Sequence, residues 1–188
     1  MRKLSVFNHV TLDGYFTGEN GDMSWAHNGS DDAEYQAFVA GNAGGDSELL
    51  FGRVTYDMMA SYWPTPMANQ QAPVVAEKMN SGKKIVFSKT MDKALWNNTK
   101  LIKGDLVEEV RKLKQEKGPD MVILGSGSIV AQLAAVNLFD SYQIMVNPVA
   151  LGKGRTLFEG LPQMLSLRLT NSRAFKNGKV FLSYEAVA

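Results

Sequence analysis

Apolar residues recur with a period of two near the start of the chain. Leu4, Val6 and Val10 mark an extended stretch that ends at Asp13-Gly14. A glycine-rich loop, DGYFTGENGDMSW, follows. SDDAEYQAFVA then predicts a helix with Tyr35, Phe38 and Val39 on one face and Ser30 or Asp31 as its cap, Asp31 suiting a cap better than a substrate contact. ELLFG reads as a short buried strand. Tyr56, Met59, Ala60 and Trp63 place a helix from about 54 to 63. Segment 64–82, rich in Pro, Ala and Asn, reads as a long surface loop. KKIVFS is a further strand. Asp105 and Glu108 form a capping box for a helix whose apolar face is Leu106, Val110 and Leu113. DMVILGSGS runs from a strand into a loop, IVAQLAAVNLF predicts a helix with Ile129, Leu133 and Val136 in register, and YQIMVNPV is again a strand. Finally MLSLRLT alternates in polarity, and RAFKNGKVFLSYEAV places Asn177-Gly178 between two strand-like runs, the signature of a hairpin.

This order is β-α-β with an antiparallel hairpin at the end. It predicts an α/β fold with a mostly parallel central sheet covered by helices in three layers. Such folds bind ligands outside the carboxyl ends of their strands. Gly52-Arg53 and the GSGS run at 125–128 both lie at strand ends, so they are expected to face one crevice.

Composition narrows the class. A chain of 188 residues predicts one domain, 1–188, with 45% hydrophobic and 21% charged residues, as in a soluble globular protein. The net charge of +1 argues against a general nucleic-acid binder. With no cysteine, disulfides, thiolate metal sites and a Cys nucleophile are excluded, and a reducing, cytoplasmic setting fits. The N-terminus reads as a first strand and not a signal peptide, and no apolar run reaches the length of a membrane span.

Candidate chemistry collects at the strand ends. At Gly52-Arg53-Val54-Thr55 the glycine permits a tight turn, the helix N-terminus offers N–H groups, Arg53 adds a planar charged fork and Thr55 a hydroxyl. A bound phosphate would explain the set; a glycine turn followed by a solvated arginine would also produce it. Gly125, Ser126, Gly127 and Ser128 could cradle a pyrophosphate, although Val130 stands where the third glycine of GxGxxG would be; turn and cap demands alone could also select them. Ser88-Lys89-Thr90 could hold a further phosphate or form a solvated loop. The loop ending in Trp25 is long enough to act as a lid, or Trp25 packs on its rim. His9 and His27 stand in no metal-binding pattern, so no metal site is expected. His9 reads as a structural strand residue.

Four segments, taken together, resemble one family. VTLDGYFTG resembles an S-L-D-G-x-I-A segment, FGRVTYDMM an M-G-R-x-T-[WY]-E segment, ILGSGSIVAQL a G-G-x-x-x-x-x-x-L segment, and VNPVALGKGRTLFEG a P-V-x-L-G-x-G-x-x-L-F segment. The chain resembles the dihydrofolate reductase-like fold, and within it the reductase domain of bacterial riboflavin biosynthesis (the C-terminal half of RibD) and its stand-alone relatives. The last segment is the most specific, because dihydrofolate reductases lack it.

The resemblance implies NADPH as hydride donor. Arg53 and Thr55 would hold phosphates beside Gly52. Ser88 and Lys89 would face the adenosine 2′-phosphate. Gly125 to Ile129 would lie under the pyrophosphate and nicotinamide ribose, and Val10 and Thr11 would line the nicotinamide. The substrate, a pyrimidine- or pterin-like small molecule, would meet the first loop with Trp25, the helix starting near Ser30, and the GKGRTLF segment. In that segment Lys153 and Arg155, on a flexible loop, are expected either to wrap a substrate phosphate together with backbone N–H groups or to be solvated charges. The proton for the reduced atom is expected from water or from an acid such as Asp13 or Asp32; Asp13 also suits a turn. A homodimer is expected, as in riboflavin-type relatives. Two other classes remain open: a reductase for an unrelated small molecule, and a non-catalytic nucleotide-binding protein of the same fold.

Overall fold

The computed structural model describes residues 1–27, 31–43 and 45–187. Ser30, one of the expected helix caps, lies outside the described residues. In chain order the elements are β1 (Leu4–Thr11), β2 (Tyr15–Thr17), a 3-10 turn (Ser24–His27), α1 (Ala33–Ala43), β3 (Glu48–Gly52), α2 (Arg53–Tyr62), α3 (Pro66–Gln71), α4 (Pro73–Ser81) and β4 (Lys84–Phe87). They continue with β5 (Thr99–Ile102), α5 (Leu106–Gln115), β6 (Met121–Leu124), α6 (Gly127–Ala134), β7 (Ser141–Asn147), β8 (Arg155–Thr156), β9 (Leu167–Ala174) and β10 (Val180–Ala186).

The chain divides into two compact units. The first comprises Met1–Lys3 and Ala37–Ser126. Its strands run β5-β4-β3-β6, and every pairing is parallel. Its core is an aromatic cluster of Phe51, Tyr56 and Trp96 with Met79 and Val86. Polar atoms at the edge of this cluster are paired. The Tyr56 hydroxyl accepts from the Trp96 backbone N–H at 2.8 Å, and the Trp96 indole donates to Asn80 Oδ1 at 2.9 Å. Lys84 is buried, yet its Nζ donates to the carbonyls of Met79, Asn80 and Gly82. It thus satisfies the C-terminal end of α4, where a cation also suits the helix dipole.

The second unit comprises Leu4–Gln36 and Gly127–Ala188. Here β1 pairs with β7 in parallel, β7 with β10 antiparallel, and β10 with β9 antiparallel. A small second sheet joins β2 to β8. Asn177-Gly178 does lie in a hairpin, but the connection is the longer run 175–179. Gly178 takes φ 84, and Asn177 Oδ1 accepts from the Lys179 backbone N–H at 3.0 Å.

Three expectations are corrected. Segment 64–82 is not a loop but two short helices, each with proline in its first turn. Proline there removes an N–H that has no intrahelical partner, and the Thr65 hydroxyl caps α3 by accepting from Ala68 N–H. The helix placed over 129–139 ends at Ala134. Asn137 adopts φ 52, Leu138 N–H bonds to Leu133 carbonyl and Asn137 N–H to Ala134 carbonyl, a Schellman stop that leaves Val136 exposed. The cap of α1 is Asp32 and not Asp31: Asp32 Oδ1 accepts from the N–H groups of Glu34 at 3.0 Å and Tyr35 at 3.1 Å.

Candidate functional site

In the first unit the turn after β3 and the turn after β6 are stitched together. Ser126 N–H donates to Thr55 Oγ1 at 3.0 Å, and Gly52 N–H donates to Ser126 Oγ at 2.9 Å. The Ser126 hydroxyl in turn donates to the Leu124 carbonyl. Ser126 itself sits at φ 58, a conformation that this set of bonds sustains. Gly125 sits at φ 61, and a Cβ there would meet Thr55 Cγ2 at 3.0 Å. The hydroxyls expected to hold phosphate are therefore partly occupied in fixing the turns. Thr55 Oγ1, as acceptor, keeps its own proton for donation.

The start of α2 is different. Gly52 is its N-cap and supplies no side-chain acceptor, and its first turn contains no acidic residue. Arg53 stands at the first helical position, half exposed, with an i,i+4 pair to Asp57 at 3.3 Å. Asp57 already gives the Arg53 guanidinium an anion, while the N–H groups of the first turn have no side-chain cap and so suit an anion from outside the chain.

At the end of β4, Ser88 closes a turn: its Oγ accepts from the N–H groups of Thr90 at 3.3 Å and Met91 at 3.0 Å. Lys89 beside it is exposed.

In the second unit, α6 begins at Gly127. A Cβ at Gly127 would lie 2.5 Å from the Phe16 ring, so this glycine is demanded by packing within the protein. Ser128 is exposed and Ile129 is buried, so Ile129 offers a ligand only its backbone.

Val10 and Thr11 end β1. Thr11 is buried; its hydroxyl donates to Asp13 Oδ1 at 2.6 Å and accepts from Tyr15 N–H at 2.9 Å. Asp13 reaches across to the loop after β7. It accepts from Leu151 N–H at 3.0 Å and Gly152 N–H at 2.7 Å. The Thr11 hydroxyl foremost, then these N–H groups, hold the Asp13 carboxyl below the usual range.

Residues 148–156 are packed against β2: Gly154, at φ 153, lies so close to it that a Cβ would sit 2.2 Å from the Thr17 carbonyl. Two of the loop's N–H groups already hold the Asp13 carboxylate, and Lys153 pairs with Glu19 at 2.7 Å. The Leu151 and Gly152 N–H groups are thus engaged by a carboxylate of the chain itself, while the Lys153–Glu19 pair lies on the surface. Arg155 is exposed at the start of β8.

Asp32 is likewise engaged. Besides capping α1, its Oδ2 accepts from Asn177 N–H at 3.0 Å. The Tyr35 N–H foremost, with those of Asn177 and Glu34, keeps its carboxyl below the ordinary range. Trp25 is buried, and its indole donates to the Asp22 carbonyl.

Sequence reasoning missed Asn147 and Lys179. Asn147 is buried; its Nδ2 donates to the carbonyls of Val10 and Met145, both at 3.0 Å. Its Oδ1 accepts from Lys179 Nζ at 2.6 Å. His9 is neutral there, its pKa pushed down to about 4 by burial and by the Lys179 charge. No periodicity marks Lys179, because it stands in the hairpin loop, where lysine is ordinarily solvated. Among the described residues, no cluster of His, Asp and Glu could hold a metal ion, and no helix is long and apolar enough to cross a membrane.

The sequence matches the model of the RibD C-terminal domain over residues 2–181. The chain belongs to the RibD C-terminal domain family. It is 30% identical over 183 residues to the uncharacterized protein YyaP of Bacillus subtilis (strain 168), covering 97% of this chain and 94% of that one. Among solved structures it is similar to a putative riboflavin biosynthesis protein from Shewanella sp. PV-4. That likeness has a TM-score of 0.74 and 26% identity over 99% of each chain. It also shares the fold of dihydrofolate reductase from Enterococcus faecalis, solved with NADP(H), at a TM-score of 0.65 and 13% identity over 99% of this chain and 97% of that one. The α/β architecture, mostly parallel with a C-terminal antiparallel hairpin, is thus that of the RibD and dihydrofolate reductase-like reductases.

For a RibD C-terminal domain the natural question is whether these residues fit a dinucleotide phosphate. The start of α2 fits, since a phosphate there meets uncapped N–H groups and the Arg53 guanidinium. The glycines at 125 and 127 do not discriminate, because Thr55 and Phe16 already account for them.

Proposed function

We propose that this RibD-family protein is an NADPH-dependent reductase acting on a pyrimidine- or pterin-like heterocycle. The observation that carries the reading is the uncapped N-terminus of α2 with Arg53 at its first position. A surface arginine would gain more at the other end of the helix; placed here, it suits a bound phosphate.

When bound, NADPH supplies a hydride from its nicotinamide ring. Arg53 and the Thr55 hydroxyl would hold phosphate oxygens, and Lys89, with Ser88 shaping its turn, would meet the 2′-phosphate, Gly125 and Ser126 supporting the neighbouring turn. In the second unit, the N–H groups opening α6 at Gly127 to Ile129 would serve the pyrophosphate. Val10 and Thr11 would serve the nicotinamide. Asp13 and Asp32 are poor proton donors, since the Thr11 hydroxyl foremost, with backbone N–H groups, stabilises the first carboxylate, and backbone N–H groups, that of Tyr35 foremost, the second; water is the better source of the proton. Trp25 and Arg155 lie on the substrate side, Arg155 as the cation for an anionic substituent. The protein is taken to work as a cytoplasmic homodimer, joined through β9, the last strand in its sheet order.

The test is steady-state NADPH oxidation with a ribosylaminouracil phosphate and with dihydrofolate. The expected result is turnover of the aminopyrimidine with a higher kcat/KM. Preference for dihydrofolate would overturn the substrate class, and tight NADPH binding without turnover of any heterocycle would favour a non-catalytic nucleotide-binding role.

A further inference from the structure

We propose that Lys179 is a positioning residue that fastens the Trp25 turn to the ends of β1 and β7 and so fixes the wall on the substrate side. Its consequence for substrate rests on the reductase reading above; the fastening itself does not.

Lysine is rarely fully buried unless paired, because a desolvated charge is costly. Lys179 is only 1% exposed. Its partners are neutral: Nζ donates to the Ala26 carbonyl at 2.7 Å and to Asn147 Oδ1 at 2.6 Å, and lies 5.1 Å from the centre of the Tyr35 ring. The carboxylates of the neighbouring α1 are engaged elsewhere: Asp32 with backbone N–H groups, and Glu34 with Arg173 at 2.7 Å. Lys84, the other buried lysine, sits on a helix C-terminus that accounts for its charge. Of the two acceptors of Lys179, the Ala26 carbonyl belongs to the end of the single 3-10 turn Ser24–His27 and Asn147 Oδ1 is a side-chain amide, so no α-helix C-terminus accounts for its charge.

An apolar side chain would fill the same space without the desolvation cost. What the ammonium adds is direction. It joins the Ala26 carbonyl to Asn147, whose amide in turn holds the Val10 carbonyl. One continuous set of hydrogen bonds thus runs from the residue beside Trp25 to the end of β1. Asn147 Nδ2 also lies 3.3 Å from His9 Nδ1.

Lys179→Met keeps the length and removes the link. Two readouts follow it: acrylamide quenching of Trp25, obtained by difference against Trp25→Phe, and the steady-state constants. In the folded variant Trp25 quenching is expected to rise severalfold. The KM for the aminopyrimidine should rise about tenfold, the scale of one lost hydrogen bond to a charged group, while the NADPH dissociation constant stays put. A merely structural lysine would lower the melting temperature and leave both unmoved; Trp25 equally protected in folded Lys179→Met would overturn the proposal. If wild type turns over no heterocycle, the reductase reading fails while the quenching result still decides the role of Lys179.

Should the variant not fold, the wild type supplies the test. Burial lowers the Lys179 pKa to about 8 from 10.5. The closed wall therefore binds fewer protons than an opened one in that window, and raising the pH tightens it. The facing groups are neutral His9 on β1, Tyr35 on α1 with its pKa raised by burial, ionised Asp32 before α1, and His27 on the turn itself. Trp25 quenching should fall between pH 8 and 10; a flat or rising profile would contradict the proposal.

Discussion

Arg53 and Asp13 show what single residues contribute and what a sequence conceals about them. Both were visible as candidates from their place at strand ends. For Arg53 the structure adds an uncapped helix start, which sequence suggests through Gly52. Arg53→Ala should weaken NADPH binding by about 1.5–3 kcal/mol, the range for hydrogen bonds to charged groups. Isothermal titration checks this, and an unchanged dissociation constant would make Arg53 a plain surface residue. For Asp13 the decisive partners, Leu151 and Gly152, are far along the chain, so no local pattern could reveal them. Its carboxyl is held below the ordinary range, so the clamp is complete above the unfolded-state pKa and is lost as the pH falls through the lower folded value. Asp13→Asn should therefore loosen residues 148–156 at neutral pH, read as faster amide exchange at Leu151 and Gly152, while wild type shows the same loosening only in acid. Equal exchange in both proteins at neutral pH would refute the clamp.

At the scale of elements, the strands and long amphipathic helices were legible because their apolar periods are strong: Phe51, Val86, Val110 and Ile123 are all buried as the pattern requires. The short helices α3 and α4 were hidden by composition, since a proline-rich run resembles a loop until each proline is placed in a first turn. β5, with the sequence TKLI, was missed because only its last residue is buried. Caps decide such boundaries. Thr65→Ala should cost about 1 kcal/mol of unfolding free energy, measured by urea denaturation, as expected for a lost N-cap. Gly127→Ala presses a methyl group onto Phe16 and should also destabilise, by roughly 1–3 kcal/mol for an overpacked site. If Gly127→Ala left stability intact and abolished only cofactor binding, the packing explanation of that glycine would be wrong.

For the molecule as a whole, the family and fold followed from four separated segments, and the family match over residues 2–181 agrees with them. Paired side chains such as Lys179 with Asn147 were beyond reach, because their meeting depends on the register of β10 against β7. The homodimer proposal is checked by sedimentation at micromolar concentration, where a monomer mass would refute it. The account stands most directly on cofactor choice joined to chemistry, so the measurement to make is single-turnover hydride transfer to the aminopyrimidine, followed by the loss of reduced-cofactor fluorescence, with NADPH and NADH in parallel. The account predicts substrate-dependent oxidation of NADPH that outpaces NADH at subsaturating cofactor. Absence of substrate-dependent oxidation, or equal use of the two cofactors, would contradict it.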